Sequence, residues 1–333
     1  MTKTRWGVLS TAGIGTEKVI PGINRSKTAF VAAIASRDGA RAKAAADELG
    51  IEKAYGSYAE LLTDPDIDVI YNPLPNHLHV PLTLQAVAAG KHVLCEKPVA
   101  LNKAEAEQLL ATSGDRMVME AFMVRFHPQW LKMRELVQSG ALGEVRSIQS
   151  CFSYFNRDPD NIRNNAEIGG GGLMDIGCYP MVAGRFLFGA EPERVIALFD
   201  RDPDFRTDRL ASAILDFGGG RRVDFTVSTQ AVPYQRVHAV GTEKRAEIIV
   251  PFNPAPGEVT TIRIDDGSNP TSDGAEIITL PACDQYAEQA DAFSAAVRGE
   301  TGLPYGPEDA VRNMSILDAL LRSETSGKWE PVS

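Results

Sequence analysis

The stretch Arg5-Trp6-Gly7-Val8-Leu9-Ser10-Thr11-Ala12-Gly13-Ile14-Gly15 reads as a short apolar strand running into a turn of small residues. A helix is predicted over 16–25, with Pro21 disturbing its continuity. In the usual Gly-x-Gly-x-x-Gly turn the glycines permit a tight bend, close approach of a pyrophosphate to backbone N–H groups, and tight packing of helix on strand. Here Ser10 and Ala12 stand at the first two glycine positions and Gly15 at the third, so all three are small and one is glycine. Taken alone, the turn fits an ordinary strand-to-helix connection as well as a nucleotide loop.

Working outward, further apolar runs at 30–35, 69–72, 92–96 and 118–122 alternate with helical stretches, the rhythm of βαβ units. Ser57 with Glu60 and Asn102 with Glu105 form capping boxes, and Gly50 and Gly90 stand where helices stop. The prediction is an N-terminal Rossmann domain over 1–123, with a doubly wound parallel sheet. Beyond it the pattern changes to strands that follow one another directly, including a hairpin over 211–228 about Gly218-Gly219-Gly220. Two helices, 285–298 and 307–323, close the chain. Residues 124–333 are therefore read as an α+β substrate-binding and dimerisation domain with a large, mostly antiparallel, open-faced sheet, and the bare face predicts a homodimer.

Composition narrows the function. A net charge of -10 without a basic stripe argues against a nucleic-acid partner. The N-terminus lacks the sustained apolar core of an export signal, and no apolar run approaches the roughly twenty residues needed to span a bilayer. Four scattered cysteines fit reduced thiols, and the expected location is cytoplasmic. The five histidines show no ligand spacing, so no metal is expected.

Ligands of an open α/β sheet lie beyond the carboxyl ends of its strands, where this chain carries Ser10, Ser36, Asn72, Glu96-Lys97 and Glu120. The second strand ends at Ser36-Arg37, about where an NAD enzyme places an acid for the ribose hydroxyls. Arg37, aided by Ser36, is suited to a 2′-phosphate, so NADP is favoured over NAD. Nearby Asp38 and Arg41 leave a ribose contact open. Pro98 disfavours helix at Lys97, which is thereby free to bind a substrate hydroxyl or donate a proton. Farther on, Gly169-Gly170-Gly171-Gly172 leads into a predicted helix on which Asp175 and Tyr179, four apart, share a face. Asp175 is suited to orient a substrate hydroxyl and Tyr179 to exchange a proton, although helix capping and core packing are the ordinary roles of such residues.

Five blocks carry a family resemblance: Trp6 to Ala12, Asn72 to His77, Cys95-Glu96-Lys97-Pro98, Met119 to Pro128, and Gly169 to Tyr179. In their order they resemble the Gfo/Idh/MocA oxidoreductases, in particular the branch of NADP-dependent D-xylose dehydrogenases and dimeric dihydrodiol dehydrogenases. That resemblance implies hydride transfer between nicotinamide and a carbinol carbon of a sugar or small polyol, with C1 of an aldopyranose as the leading site. A trans-dihydrodiol or 1,5-anhydrofructose-type reductase, or a non-catalytic NADP-binding sensor, are the alternatives. It implies Lys97 as catalytic lysine, Asp175 as substrate-orienting acid and Tyr179 as proton donor and acceptor. Cofactor contacts are implied from Pro73, Asn76, His79, Glu96 and Arg125, beside the Ser10, Thr11, Ala12, Gly13, Ile14, Gly15 loop and Ser36, Arg37, Arg41 and Asn72. Substrate contacts are implied from Phe155, Asn156, Arg157 and Arg163. Lys97 and Tyr179 are expected to share the reacting oxygen.

Overall fold

The computed structural model describes residues 3–112, 114–269, 271 and 273–333. Elements follow in the order β1 Thr4–Leu9, α1 Ile20–Arg25, β2 Ala29–Ala35, α2 Gly39–Leu49, β3 Lys53–Tyr55, α3 Tyr58–Thr63, β4 Val69–Asn72, α4 His79–Ala88, β5 His92–Cys95, α5 Lys103–Thr112 and β6 Val118–Glu120. Then come α6 Pro128–Gln138, β7 Ser147–Phe155, α7 Cys178–Phe188, β8 Arg194–Arg201, β9 Asp208–Asp216, β10 Arg222–Ser228, β11 Gln230–Val240, β12 Arg245–Ile248, β13 Thr260–Asp265 and β14 Glu276–Leu280. The last elements are α8 Gln285–Val297, α9 Pro307–Ser326 and β15 Glu330–Pro331. The chain divides into two compact units, Met1–Met123 with Asp284–Met314, and Val124–Cys283 with Ser315–Ser333.

In the first unit six parallel strands lie in the order β3-β2-β1-β4-β5-β6. Both capping boxes form: Glu60 N donates to Ser57 Oγ and Glu105 N to Asn102 Oδ1, while the two glutamates accept from Gly56 and Leu101 N–H. Gly50 and Gly90 take φ of 67° and 78°, the left-handed conformation that ends a helix at least cost.

The structure corrects the reading of α8 as part of the second domain. It packs on the first unit, where Trp6 at the centre of β1 meets Phe293 edge-on at 5.8 Å and donates from its indole N–H to Ser294 Oγ. A Cβ on Gly22 would lie 2.5 Å from that of Tyr286, so glycine lets α1 approach α8 closely. Asp284 caps α8 and also accepts from Arg25. The interaction joins residues nearly the whole chain apart, which local patterning does not reveal.

The second unit is built on a nine-stranded sheet in the order β14-β13-β12-β11-β7-β10-β9-β8-β15. All its pairings are antiparallel except β7 with β10. The expected hairpin forms between β9 and β10, its turn made by Gly218, Gly219 and Gly220, all at positive φ. Beneath one face lies an aromatic core: Phe152 stacks on Phe252 at 4.8 Å, and Phe252 stacks on Trp130 at 6.0 Å. The other face is partly bare, with Leu198 77% exposed and Leu210 and Ile214 about half that.

Two helix starts depart from ideal geometry in the same way. Wide π turns at Gly15–Val19 and Leu173–Gly177 precede α1 and α7, and each is followed by a proline inside the first turn, Pro21 and Pro180. Proline lacks the N–H for an i to i−4 bond and crowds the carbonyl four residues back. A wider preceding turn accommodates both defects. Pro21 therefore lies within one helical stretch over 13–25, its missing N–H accommodated by the π turn before it.

Candidate active site

At the carboxyl edge of the parallel sheet, Ser10 follows β1 with φ of 74°, the left-handed conformation for which the usual motif supplies glycine. Its hydroxyl accepts the Ala12 N–H, which offsets part of that cost. Gly15 is buried at the first turn, but a Cβ there would sit 3.7 Å from Tyr71 and Pro73, ordinary contact distance, so packing does not demand glycine at this point.

After β2, Ser36 Oγ accepts from Asp38 N–H, and Asp38 caps α2 by accepting from Ala40 and Arg41 N–H. One oxygen of Asp38, Oδ1, is thus engaged by its own helix. Arg37 and Arg41 are exposed beside it, and neither guanidinium has an acceptor among the described residues. Two cations, a hydroxyl and a short left-handed turn suit a dinucleotide with an added phosphate.

The strand-end residues sort into two groups. Asn72 is fully buried: its amide donates to His79 O and Thr83 Oγ1, and its carbonyl accepts from Leu74 N–H. His79 is 1% exposed, with Nδ1 2.7 Å from Pro98 O and Nε2 2.6 Å from Leu74 O. Burial pushes its pKa down to about 4. The polar side-chain atoms of Asn72 and His79 thus tie neighbouring parts of the chain together. Pro73 is buried beside them, while Asn76 is partly exposed in the turn Asn76–Leu78.

Glu96 and Lys97 remain partly exposed. Tyr71, buried in β4, donates to Glu96 Oε1 at 2.6 Å, and burial with the nearby carboxylate raises its phenol above the ordinary range. Tyr71 was not anticipated as a partner of this turn; its place two residues from Pro73 on a buried strand was the available signal.

Within the second unit, Asp175 and Tyr179 lie on the π turn and the start of α7. Tyr154 on β7 donates to Asp175 Oδ2 at 2.6 Å, and Arg163 Nε approaches the same oxygen at 2.9 Å. Asp175 raises the Arg163 pKa further, while burial and then Asp175 raise that of the Tyr154 phenol. Tyr179 is 6% exposed, its ring edge-on to Phe152 at 5.8 Å and tilted against Phe252 at 5.2 Å. Tyr154, missed in the sequence, has an outward signal only in its alternation along β7.

The glycine run has steric reasons. A Cβ on Gly170 would come within 2.6 Å of Arg163 O and Asn165 O, and one on Gly171, at φ of 121°, would run into Asp208 Oδ1. Asp208, buried on β9, accepts the Leu173 N–H at 2.6 Å, and burial pushes its pKa up to about 6.

Of the loop expected to touch substrate, Arg163 joins Asp175, but Arg157 pairs with Asp204 at 2.8 Å and faces Asp202. Asn156 accepts from Asp158 N–H and Asn164 Nδ2, a turn-forming role. Asn156 and Arg157 thus also support the fold of this loop. Phe155 is 64% exposed. Arg125 is buried in the turn Met123–Phe126. Among the described residues no group of three His, Cys, Asp or Glu side chains is placed to hold a metal, and no helix is long and apolar enough to cross a membrane.

A parallel sheet in the order 3-2-1-4-5-6, with its loop and paired arginines at the carboxyl edge, defines a Rossmann-type dinucleotide-binding protein. Residues 4–124 match the oxidoreductase family with an NAD-binding Rossmann fold, and residues 130–247 match the GFO/IDH/MocA C-terminal domain. The chain belongs to the GFO/IDH/MocA oxidoreductase family. It is 47% identical to an uncharacterized oxidoreductase of Rhizobium meliloti, covering 100% of both chains. It is 40% identical to a D-xylose 1-dehydrogenase (NADP(+)) of Haloferax volcanii, covering 97% of this chain and 98% of that one. A 3-ketoreductase from Actinomadura kijaniata, solved in complex with NADP and TDP-benzene, superposes with a TM-score of 0.90 at 31% identity, covering 97% of this chain and 98% of that chain.

Proposed function

We propose that this chain is an NADP-dependent sugar dehydrogenase acting at a carbinol carbon, C1 of an aldopyranose. The observation that carries this reading is the Asp175 carboxylate, held by Arg163 and Tyr154 beside the start of the helix that bears Tyr179. The NADP dependence of the Haloferax volcanii xylose dehydrogenase and the NADP complex of the Actinomadura kijaniata ketoreductase support the cofactor. Ser10 to Gly15 would hold the pyrophosphate, and Arg37, Arg41 and Ser36 the 2′-phosphate. Bound NADP supplies hydride transfer at the nicotinamide ring.

The chain supplies the rest. Asp175, fixed in direction by Arg163 and Tyr154, accepts a hydrogen bond from a substrate hydroxyl. Tyr179 would exchange the proton of a substrate hydroxyl, and the Lys97 ammonium would steady negative charge that develops during hydride transfer. The aromatic packing of Tyr179 against Phe152 and Phe252 limits its rotation and so fixes the line of proton transfer. The exposed Leu198, Leu210 and Ile214 on the open sheet face fit a second copy of the chain as partner.

The test is steady-state reduction of NADP+ with D-xylose, D-glucose and benzene dihydrodiol. Turnover of a sugar, with kcat lowered roughly a hundredfold or more in Tyr179→Phe while NADP binding is kept, supports the reading. Turnover of the dihydrodiol alone moves the substrate away from sugars, and binding without turnover of any of them makes the chain a sensor.

A further inference from the structure

We propose that Glu120 and Asn313 are positioning residues for Lys97, acting through the backbone of the turn that carries it. This rests on the role assigned to Lys97 above. Lys97 begins the segment Lys97-Pro98-Val99, which leaves β5. The backbone is gripped on both sides of the lysine. Glu96 N–H donates to Asn72 O at 3.0 Å, His79 meets Pro98 O at 2.7 Å, and Val99 N–H donates to Glu120 Oε1 at 2.8 Å.

Glu120 ends the neighbouring strand β6 and is 4% exposed. Its second oxygen, Oε2, accepts from Asn313 Nδ2 at 2.6 Å, and Asn313 is fully buried. One carboxylate therefore joins a donor from the lysine turn to a donor from α9. A buried carboxylate with well-aligned donors is a rigid support, because losing either donor leaves a desolvated charge under-satisfied. Asn313 reaches the turn from 216 positions beyond Lys97, as the numbering shows (313 − 97). The donor pattern also dictates a swap. A Gln in place of Glu120 offers one acceptor and one donor, so it keeps the Val99 N–H only if the Asn313 amide turns over to present its oxygen, out of the orientation it holds in the parent. An Asp in place of Asn313 restores complementarity to that Gln.

The experiment measures kcat, KM and NADP affinity for Glu120→Gln, Asn313→Asp, the double Glu120→Gln/Asn313→Asp, Lys97→Ala, and Lys97→Ala/Asn313→Asp. Each of the first two is expected to lower kcat on the order of tenfold with NADP affinity kept, and the double to recover to within about threefold of the parent. In the Lys97→Ala background Asn313→Asp is expected to cost nothing further in kcat, because its effect passes through Lys97. Singles with parental kcat, a double no better than the worse single, or an undiminished cost without Lys97 would overturn the proposal. Full activity of Lys97→Ala instead removes the role of Lys97 itself, which separates the two failures.

Discussion

Arg163 Nε lies 2.9 Å from Asp175 Oδ2, the same oxygen that accepts from Tyr154 at 2.6 Å. The Arg163 side chain is 41% exposed and that of Asp175 14%, so the pair stands at a surface and its carboxylate is aimed rather than buried.

Replacing Arg163 by Gln removes a donor that aims Asp175, and with it the positive charge beside that carboxylate. The expected result is a rise in KM for the sugar of about tenfold, with kcat within about threefold and NADP affinity unchanged. Initial-rate kinetics over both substrates check it, and an equal fall in kcat would show that the guanidinium acts only in the transition state.

Arg37 and Arg41 flank the end of β2, where Asp38 is occupied as a helix cap. The double substitution Arg37→Ala/Arg41→Ala is expected to lower kcat/KM with NADP+ by at least about tenfold and to leave the value with NAD+ nearly unchanged. The salt dependence of KM for NADP+ should also flatten, since surface charges act through a screened field. A cofactor preference that survives both substitutions would place phosphate recognition elsewhere.

How far these contacts could be foreseen differs from residue to residue. The alternation of apolar runs and caps made the parallel sheet legible, because burial and capping leave periodic marks. Asn72 was read as a ligand because it ends a strand, where a polar residue looks the same whether it faces a cofactor or its own backbone, whereas His79 was named only through the family resemblance. Pro21 and Pro180 announced irregular helix starts, but their resolution into π turns depends on packing. The Arg163 and Tyr154 partners of Asp175, and the Asn313 partner of Glu120, lie far apart in sequence and carry no local periodicity. The same holds for α8, whose amphipathic pattern shows a face to be buried but not which unit buries it.

Asp208 carries a prediction about stability. Its folded pKa of about 6 lies above the ordinary value of 3.8, so the folded protein holds this proton more tightly than the unfolded chain. The stability it contributes is fully present below the unfolded value and is lost as pH rises through about 6. Asp208→Asn keeps an acceptor for Leu173 N–H and removes the titration. The variant should therefore gain on the parent as pH rises from about 4 to about 7, by up to about 3 kcal/mol. Urea unfolding of both proteins at the two pH values measures the difference; a constant offset between them would show that Asp208 does not titrate in that window.

The chain passes between its two compact units three times, after Met123, Cys283 and Met314. A ribosome therefore finishes the nucleotide-binding sheet early but delivers α8, which covers Trp6 through Phe293 and Ser294, only after most of the other unit has been made. Until then the indole on β1 lacks its cover. The nucleotide-binding module is thus no cassette that a single crossover in the gene can transplant: an exchange between relatives has to carry the distant segment with it or leave that indole bare.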